Sequence, residues 1–306
     1  MRRRDFLRKG AAGVAGLASA PIWLEAANAK EEKEKTISQR LAGSKFKLSL
    51  AAYSFRRELS GTKPAMTLDG FIDYCAKQRL DATELTSYYF RRTDKPFLLG
   101  LRRRAYVNGL AISGTPIRSD FCFPDAAARK KDMDHVKAWI DHVALLGSQT
   151  IRIFAGKVHG GESETKAMER AVVGMREAAE YAGERGVLLA LENHGGITAK
   201  VEQLLSLVRA VDSPWLGVNL DTGNFHHQVY ESLEKAAPYA VAVQVKVETR
   251  ENGETKKPAD YRRIAEILHG ANYRGYVALE YEAKEDPKLA IPRHLGELGS
   301  ALAKYE

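Results

Sequence analysis

VLLALENHG, residues 187 to 195, starts as an apolar run of strand length and ends in polar residues. With a two-residue period, Glu192 and His194 share one face and Leu191 takes the other. Before this run stands ETKAMERAVVGMREAAEYAGERG, amphipathic at helical spacing and closed by Gly186, where a helix C-terminus should stop. After it, Thr198 is positioned to cap a further helix, and a second strand-like run, LGVNLDTGNF, follows at 216 to 225. The unit reads strand, helix, strand.

The same unit recurs along the chain. Short β-branched or apolar runs lie at FKLSLAAYSF (46 to 55), ATELTSYY (82 to 89), LAISGTPI (110 to 117), TIRIFAGK (150 to 157), VAVQVKVE (241 to 248) and GYVALEYE (275 to 282). Helix-length segments separate them, among them LDGFIDYCAKQR, which Thr67 can cap, and DAAARKKDMDHVKAWIDHVALLG, which Gly147 ends. Eight strands alternating with helices over about 260 residues predict a single α/β domain, a (β/α)8 TIM barrel. A doubly wound sheet would offer a glycine-rich phosphate loop after its first strand, and AAYSFRREL supplies none.

The first 29 residues form a separate object. MRRRDFLRKG precedes a weakly apolar stretch, AAGVAGLASAPIWL, and then Ala27-Asn28-Ala29, which has the small-x-small form of a signal-peptidase site. The set resembles a twin-arginine (Tat) signal, with Arg3-Arg4-Asp5-Phe6-Leu7-Arg8 carrying the arginine pair and the following Phe-Leu. It implies the Tat export machinery as a partner and a periplasmic or otherwise exported location. The apolar run is too short and too rich in Gly and Ala to be a good membrane span, so no stable insertion is expected after cleavage. Residues 30 to 44, KEEKEKTISQRLAGS, read as a charged linker, and the catalytic domain is expected over 45 to 306.

At 44% hydrophobic and 28% charged, the chain has the composition of a soluble globular protein. Of its formal net charge of +8, the segment 1 to 29 carries +3, from Arg2, Arg3, Arg4, Arg8 and Lys9 against Asp5 and Glu25. The remaining +5 is spread along the chain, which argues against a nucleic-acid partner. Cys75 and Cys122 show no disulfide or metal spacing and read as unpaired thiols. No motif encodes an oligomeric state.

In a barrel of this kind the chemistry sits at the C-terminal ends of the strands. Strand five ends in Glu192 and His194, strand six puts Asn219 and Asp221 on one face, strand seven gives Gln244 and Lys246, and strand eight gives Glu280 and Glu282 around Tyr281. Three acids near one axis would repel one another unless a cation lay between them. A divalent metal ion answers that need, with carboxylates from Glu192, Asp221 and Glu280 and a neutral carbonyl oxygen from Gln244.

Taken together and in order, ALENHGG, GVNLDTGNF, VQVKVE and GYVALEYE resemble the xylose isomerase-like TIM barrel superfamily, in its sugar phosphate isomerase/epimerase branch. The resemblance implies that Glu192, Asp221 and Glu280 are metal ligands and that the metal is commonly Mn2+, Mg2+, Co2+ or Zn2+. A histidine usually stands on strand seven where this chain has Gln244, and an oxygen donor there favours Mn2+ or Mg2+ over Zn2+. In the epimerases the strand-five and strand-eight glutamates exchange the substrate proton, a role that falls on Glu192 and Glu280.

The chemistry implied is proton abstraction next to a carbonyl of a small carbohydrate, through a metal-stabilised enediolate. Lys246 can donate to developing oxyanion charge, and His194 can hold a hydroxyl or polarise a carbonyl. Glu84 on strand two and Arg152 on strand four look substrate-facing. His226 and His227 follow strand six at the correct end for a rim contact, whereas His135 and His142, seven apart on one helix, mark a packing or surface stripe. The same enediolate could instead expel a substituent, which makes a lyase or hydratase acting on 3-keto sugars or 3-keto glycosides the alternative. A non-catalytic periplasmic sugar binder would show loss of an acid, and all three acids are present. The apurinic endonucleases share the barrel but need many histidine ligands, which the strand ends here do not supply.

Overall fold

A computed structural model describes residues 43 to 252 and 254 to 305; the expected export signal and all but the last two residues of the expected linker lie outside them. Gly43 and Ser44, read as the end of that linker, are already tied to the barrel. Gly43 N–H donates to Asn272 Oδ1 at 3.1 Å, and Ser44 Oγ lies 2.7 Å from His269 Nδ1.

The expected eight strands are present: β1 (Lys45–Ala51), β2 (Ala82–Glu84), β3 (Ala111–Gly114), β4 (Thr150–Ile153), β5 (Leu188–Glu192), β6 (Leu216–Asp221), β7 (Ala240–Lys246) and β8 (Arg274–Glu280). They form one parallel sheet in the order β3-β2-β1-β8-β7-β6-β5-β4. The ladder is missing only between β3 and β4. Backbone bonds from the segment just past β3 bridge that seam, Thr115 N to Thr150 O at 3.2 Å and Ile117 N to Arg152 O at 3.0 Å. Every strand stops short of its expected end, because past the ladder the backbone turns over the barrel mouth, as in the 3-10 turns Ala52–Phe55 and Ser87–Tyr89.

Helices α1 (Leu68–Lys77), α2 (Lys95–Val107), α3 (Ala126–Leu146), α4 (Glu164–Gly183), α5 (Val201–Val211), α6 (Val229–Ala236), α7 (Tyr261–Gly270) and α8 (Pro287–Leu302) surround the sheet. Their apolar stripes face it: in α1 the buried residues are Leu68, Phe71, Ile72 and Cys75, the i, i+3, i+4, i+7 spacing of one helix face. With helices outside and side chains filling the interior, even the outward strand residues Leu189 and Leu191 are buried. Thr67 caps α1 by accepting from Gly70 N–H, and Gly147 ends α3 at φ 73°, both as expected. Cys75 and Cys122 are free and buried. Beyond β7 a small antiparallel pair, Glu248–Thr249 with Lys257–Pro258, was not expected from the sequence. Among the described residues no helix is long and apolar enough to cross a membrane.

Thr198 corrects one expectation. Helix α5 starts at Val201 with Lys200 at its N-cap, so Thr198 does not cap it. Its hydroxyl instead lies 3.1 Å from both Glu192 O and His194 N, stitching the loop back onto the end of β5. Losing a buried bond of this kind costs about 1–2 kcal/mol. Thr198→Ala should therefore lower the urea unfolding free energy by about that amount, while Thr198→Ser should stay close to wild type.

Candidate active site

Glu84, Glu192, Asp221 and Glu280 are the last residues of β2, β5, β6 and β8, and Arg152 and Lys246 come from β4 and β7. The strand alternation turns these side chains inward, and the barrel brings them together in two tiers.

In the deeper tier Gln244 Nε2 donates to Glu84 Oε1 at 2.7 Å, and Gln244 Oε1 accepts from Asn219 Nδ2 at 2.7 Å. Nearer the mouth, Lys246 Nζ lies 2.6 Å from Glu280 Oε2 and 3.3 Å from Asp221 Oδ2, and it also donates to Glu282. Beside this group Arg152 Nε stands 2.7 Å from Glu192 Oε2, and Asn224 Nδ2 donates to Glu192 Oε1 at 2.9 Å. The Arg152 guanidinium lies 4.0 Å over the Phe154 ring, whose other neighbour is the exposed His194 ring, 4.1 Å away between centroids.

The loop after β6 is shaped to the lysine. Lys246 N–H donates to Thr222 Oγ1 at 3.0 Å, and Gly223 N–H donates to Asp221 Oδ1 at 2.8 Å. A Cβ on Gly223 would fall 2.5 Å from Lys246 Cγ and 2.9 Å from its Cβ, so only glycine leaves room for the arm. A pocket of about 150 Å³ opens over Lys246, lined also by Gly223, Asn224, His226, Arg250 and Lys256. His227 is engaged elsewhere, with its Nδ1 against Asn252 Oδ1. His135 and His142 pack edge-on to Trp139, in keeping with a helix face.

Burial sets the electrostatics. It pushes the Glu84 carboxyl up to about 8, with the Glu280 charge adding to the rise and the Gln244 N–H partly offsetting it. Burial likewise pushes Glu192 up to about 7, against the pull of Arg152. Asp221 is raised by burial although Lys246 opposes the rise. For Lys246 itself burial works against the charge, but Asp221, Glu280 and Glu282 outweigh it and hold the amine well above its ordinary value. Glu282, raised by burial but pulled down more strongly by Lys246, ends below the usual carboxylate range. His194 is lowered, by desolvation and then by Arg152.

Two sets of observations bear on whether a divalent ion fits here. Glu192 Oε2 and Asp221 Oδ2 are buried and accept no hydrogen bond, as metal ligands would be before binding. Against this, each already faces a protein cation, and the Gln244 oxygen expected as a fourth ligand is taken by Asn219 one tier below. Among the described residues no group of three or more His, Cys, Asp or Glu side chains is placed to hold a metal ion. A doubly charged ion about 3.5 Å from an ammonium would meet repulsion on the order of 9 kcal/mol at an effective dielectric of about 20. The residues as arranged therefore do not fit a divalent ion.

Residues 72–298 match the family model described as xylose isomerase-like TIM barrel, and the chain belongs to that family. Among solved structures it is similar to D-psicose 3-epimerase from Clostridium cellulolyticum H10, at 17% identity and TM-score 0.70, covering 85% of this chain and 99% of that one. It is also similar to the IolI protein, solved with a bound zinc atom, at 18% identity and TM-score 0.67 over 85% and 99%. A third is 3-keto-D-glucoside 4-epimerase from E. coli, at 13% identity and TM-score 0.66 over 84% and 100%. No curated protein matches the chain in sequence.

Of the residues expected at the site, Glu192, Asp221, Glu280, Lys246, Arg152, Glu84 and Gln244 meet within it, and His194 stands at its mouth. Sequence reading did not assign roles to Asn224, Thr222, Gly223 or Glu282. Glu282 carried a signal, since it shares a face with Glu280; Asn224 lies in a loop where no periodicity operates.

The Glu84 shift has a consequence for stability. A carboxyl whose folded pKa is raised favours the fold while protonated, so its contribution is intact below about 4.5 and is lost as pH rises towards about 8. Glu84→Gln keeps the bond geometry without the charge. Its melting temperature relative to wild type should rise between pH 5 and pH 8.5, by roughly 5 °C, in matched thermal scans.

Proposed function

We propose that the protein is a sugar isomerase or epimerase that removes a proton next to a carbonyl and returns it through an enediolate. The observation that carries this reading is a pair of carboxylates, Glu192 and Glu280, each held against its own cation, Arg152 and Lys246. An acid–base group works best with a pKa near the working pH, and Glu192 at about 7 meets that condition. Glu192 takes the proton from the carbon beside the carbonyl. As negative charge grows on the carbonyl oxygen, Lys246 and Arg152 are the donors within reach of it. Glu280, separated from Glu192 around the barrel by β6 and β7, takes a proton from the Lys246 ammonium bonded to it and delivers that proton to the other face, and exchange with water removes the proton from Glu192 and restores the one on Lys246.

The same pocket suits a polyol. Beside Lys246 it is lined by Asn224, His226, Arg250, Lys256 and Glu282, polar partners of the kind that sugar hydroxyls take. The relatives named as psicose and 3-keto-glucoside epimerases support this substrate class. Glu84, neutral and bonded to Gln244, is the supporting member of the deeper tier.

Incubation of free ketohexoses and 3-keto glucosides in D2O, followed by NMR, tests the proposal. Deuterium should enter at the carbon next to the carbonyl. Glu192→Gln and Glu280→Gln should each lower kcat by about 100- to 10,000-fold while remaining folded. Aglycone release without epimerisation would make the enzyme a lyase, and no exchange with any ketose would end the reading. We also propose export through residues 1 to 29, resting on the arginine pair and Ala27-Asn28-Ala29; the intact mass of the exported protein should begin at Lys30.

A further inference from the structure

We infer that the ε-ammonium of Lys246 stands in this barrel where a divalent ion would otherwise stand, so that the protein supplies its own cation and works without a metal. An ion ligated jointly by Asp221 and Glu280 would have to lie between their carboxylates. That place is held by Lys246 Nζ, 3.3 Å from Asp221 Oδ2 and 2.6 Å from Glu280 Oε2.

The arrangement is built, because several independent features serve it. Thr222 Oγ1 fixes the lysine backbone, and the missing Cβ of Gly223 lets the arm pass. Gln244, the other inward residue of β7 at this end, turns both ends of its amide into the deeper tier, to Glu84 and Asn219. One lone pair of its oxygen is thereby engaged by Asn219 rather than left free for an ion beside Lys246. Glu192, the third acid, is matched by Arg152.

The difference is chemical. An ammonium binds a substrate oxygen by donating hydrogen bonds and cannot chelate two oxygens as a Lewis acid does. The site should thus stabilise a developing oxyanion at any oxygen brought to Lys246, with no requirement for a chelating diol. This consequence rests on the epimerase reading; the metal content of the protein does not.

The test is metal uptake. Wild-type protein, Lys246→Gln and Lys246→His are stripped with chelator, incubated with Mn2+ or Zn2+, desalted and assayed by mass spectrometry of the elements, with melting curves in parallel. Wild type should retain less than about 0.1 equivalent and shift by under about 1 °C. Lys246→His, which removes the charge and adds an imidazole, should retain about one equivalent and melt several degrees higher with metal. Lys246→Gln should gain binding more weakly. If a variant does not fold in chelator, recovery of its circular dichroism on adding Zn2+ reads the same gain. One tightly held equivalent in wild type would overturn the inference, as would failure of both variants to take up metal. Any sugar activity should survive chelation within about two-fold; lack of activity would count against the epimerase reading and leave the metal result standing.

Discussion

The ion group around Lys246 is the constraint on which the rest of the site depends. Asp221, Glu280 and Glu282 come from the ends of two strands and meet one ammonium, which joins β6, β7 and β8 at the mouth. Carboxylates buried this way do not ionise without a partner of opposite charge. The distribution of cations therefore decides which acids carry charge. Glu84, bonded only to a neutral amide, is driven up to about 8, while Glu282, beside the ammonium, is held low. The same residue type is pushed in opposite directions because an ammonium stands against Glu282 and a neutral amide against Glu84.

Arg152 ties this electrostatic arrangement to the fold. Its backbone carbonyl accepts from Ile117 N–H across the seam where β3 and β4 lack a ladder, and its guanidinium donates to Ile117 O at 2.8 Å. The same guanidinium faces Glu192. Closing the barrel and positioning the Glu192 carboxyl thus depend on the same side chain, and a change that loosens the seam also moves the charge beside Glu192.

Much of this was legible in the sequence. The alternation of short apolar runs with amphipathic segments announces the barrel, since each strand must be covered by a helix on its outer face. The two-residue period puts Glu192, Asp221, Lys246 and Glu280 inward at the strand ends, and the structure gathers them there. What periodicity does not convey is height. Gln244 and Lys246 share a face, but the stagger between tilted strands decides which of them stands level with Asp221 and Glu280. From the pattern alone Gln244 is the expected fourth ligand and Lys246 the donor to developing oxyanion charge; in the barrel the Lys246 ammonium lies against Asp221 and Glu280, while the Gln244 amide turns to Glu84 and Asn219. Thr198 fails for a related reason, because capping requires a helix to begin within three residues and the turn at Gly196–Thr198 delays α5 to Val201. Asn224 acquires its partner, Glu192, only through the path of a loop.

The ammonium also indicates where a ligand must enter. An ammonium has three N–H donors; Lys246 donates to Glu280 and Glu282 and faces Asp221 Oδ2 at 3.3 Å without a hydrogen bond, so a ligand oxygen meets an ammonium contacted by three carboxylates. The three are unequal. The Asp221 side chain is fully buried and that of Glu280 is 7% exposed, whereas that of Glu282 is 34% exposed and lines the pocket. The Glu282 contact is the most open of the three, so exchanging it for a ligand oxygen sacrifices the least. The two buried contacts hold the cation in place, and the third leaves it a donor that can be redirected to a ligand at the mouth.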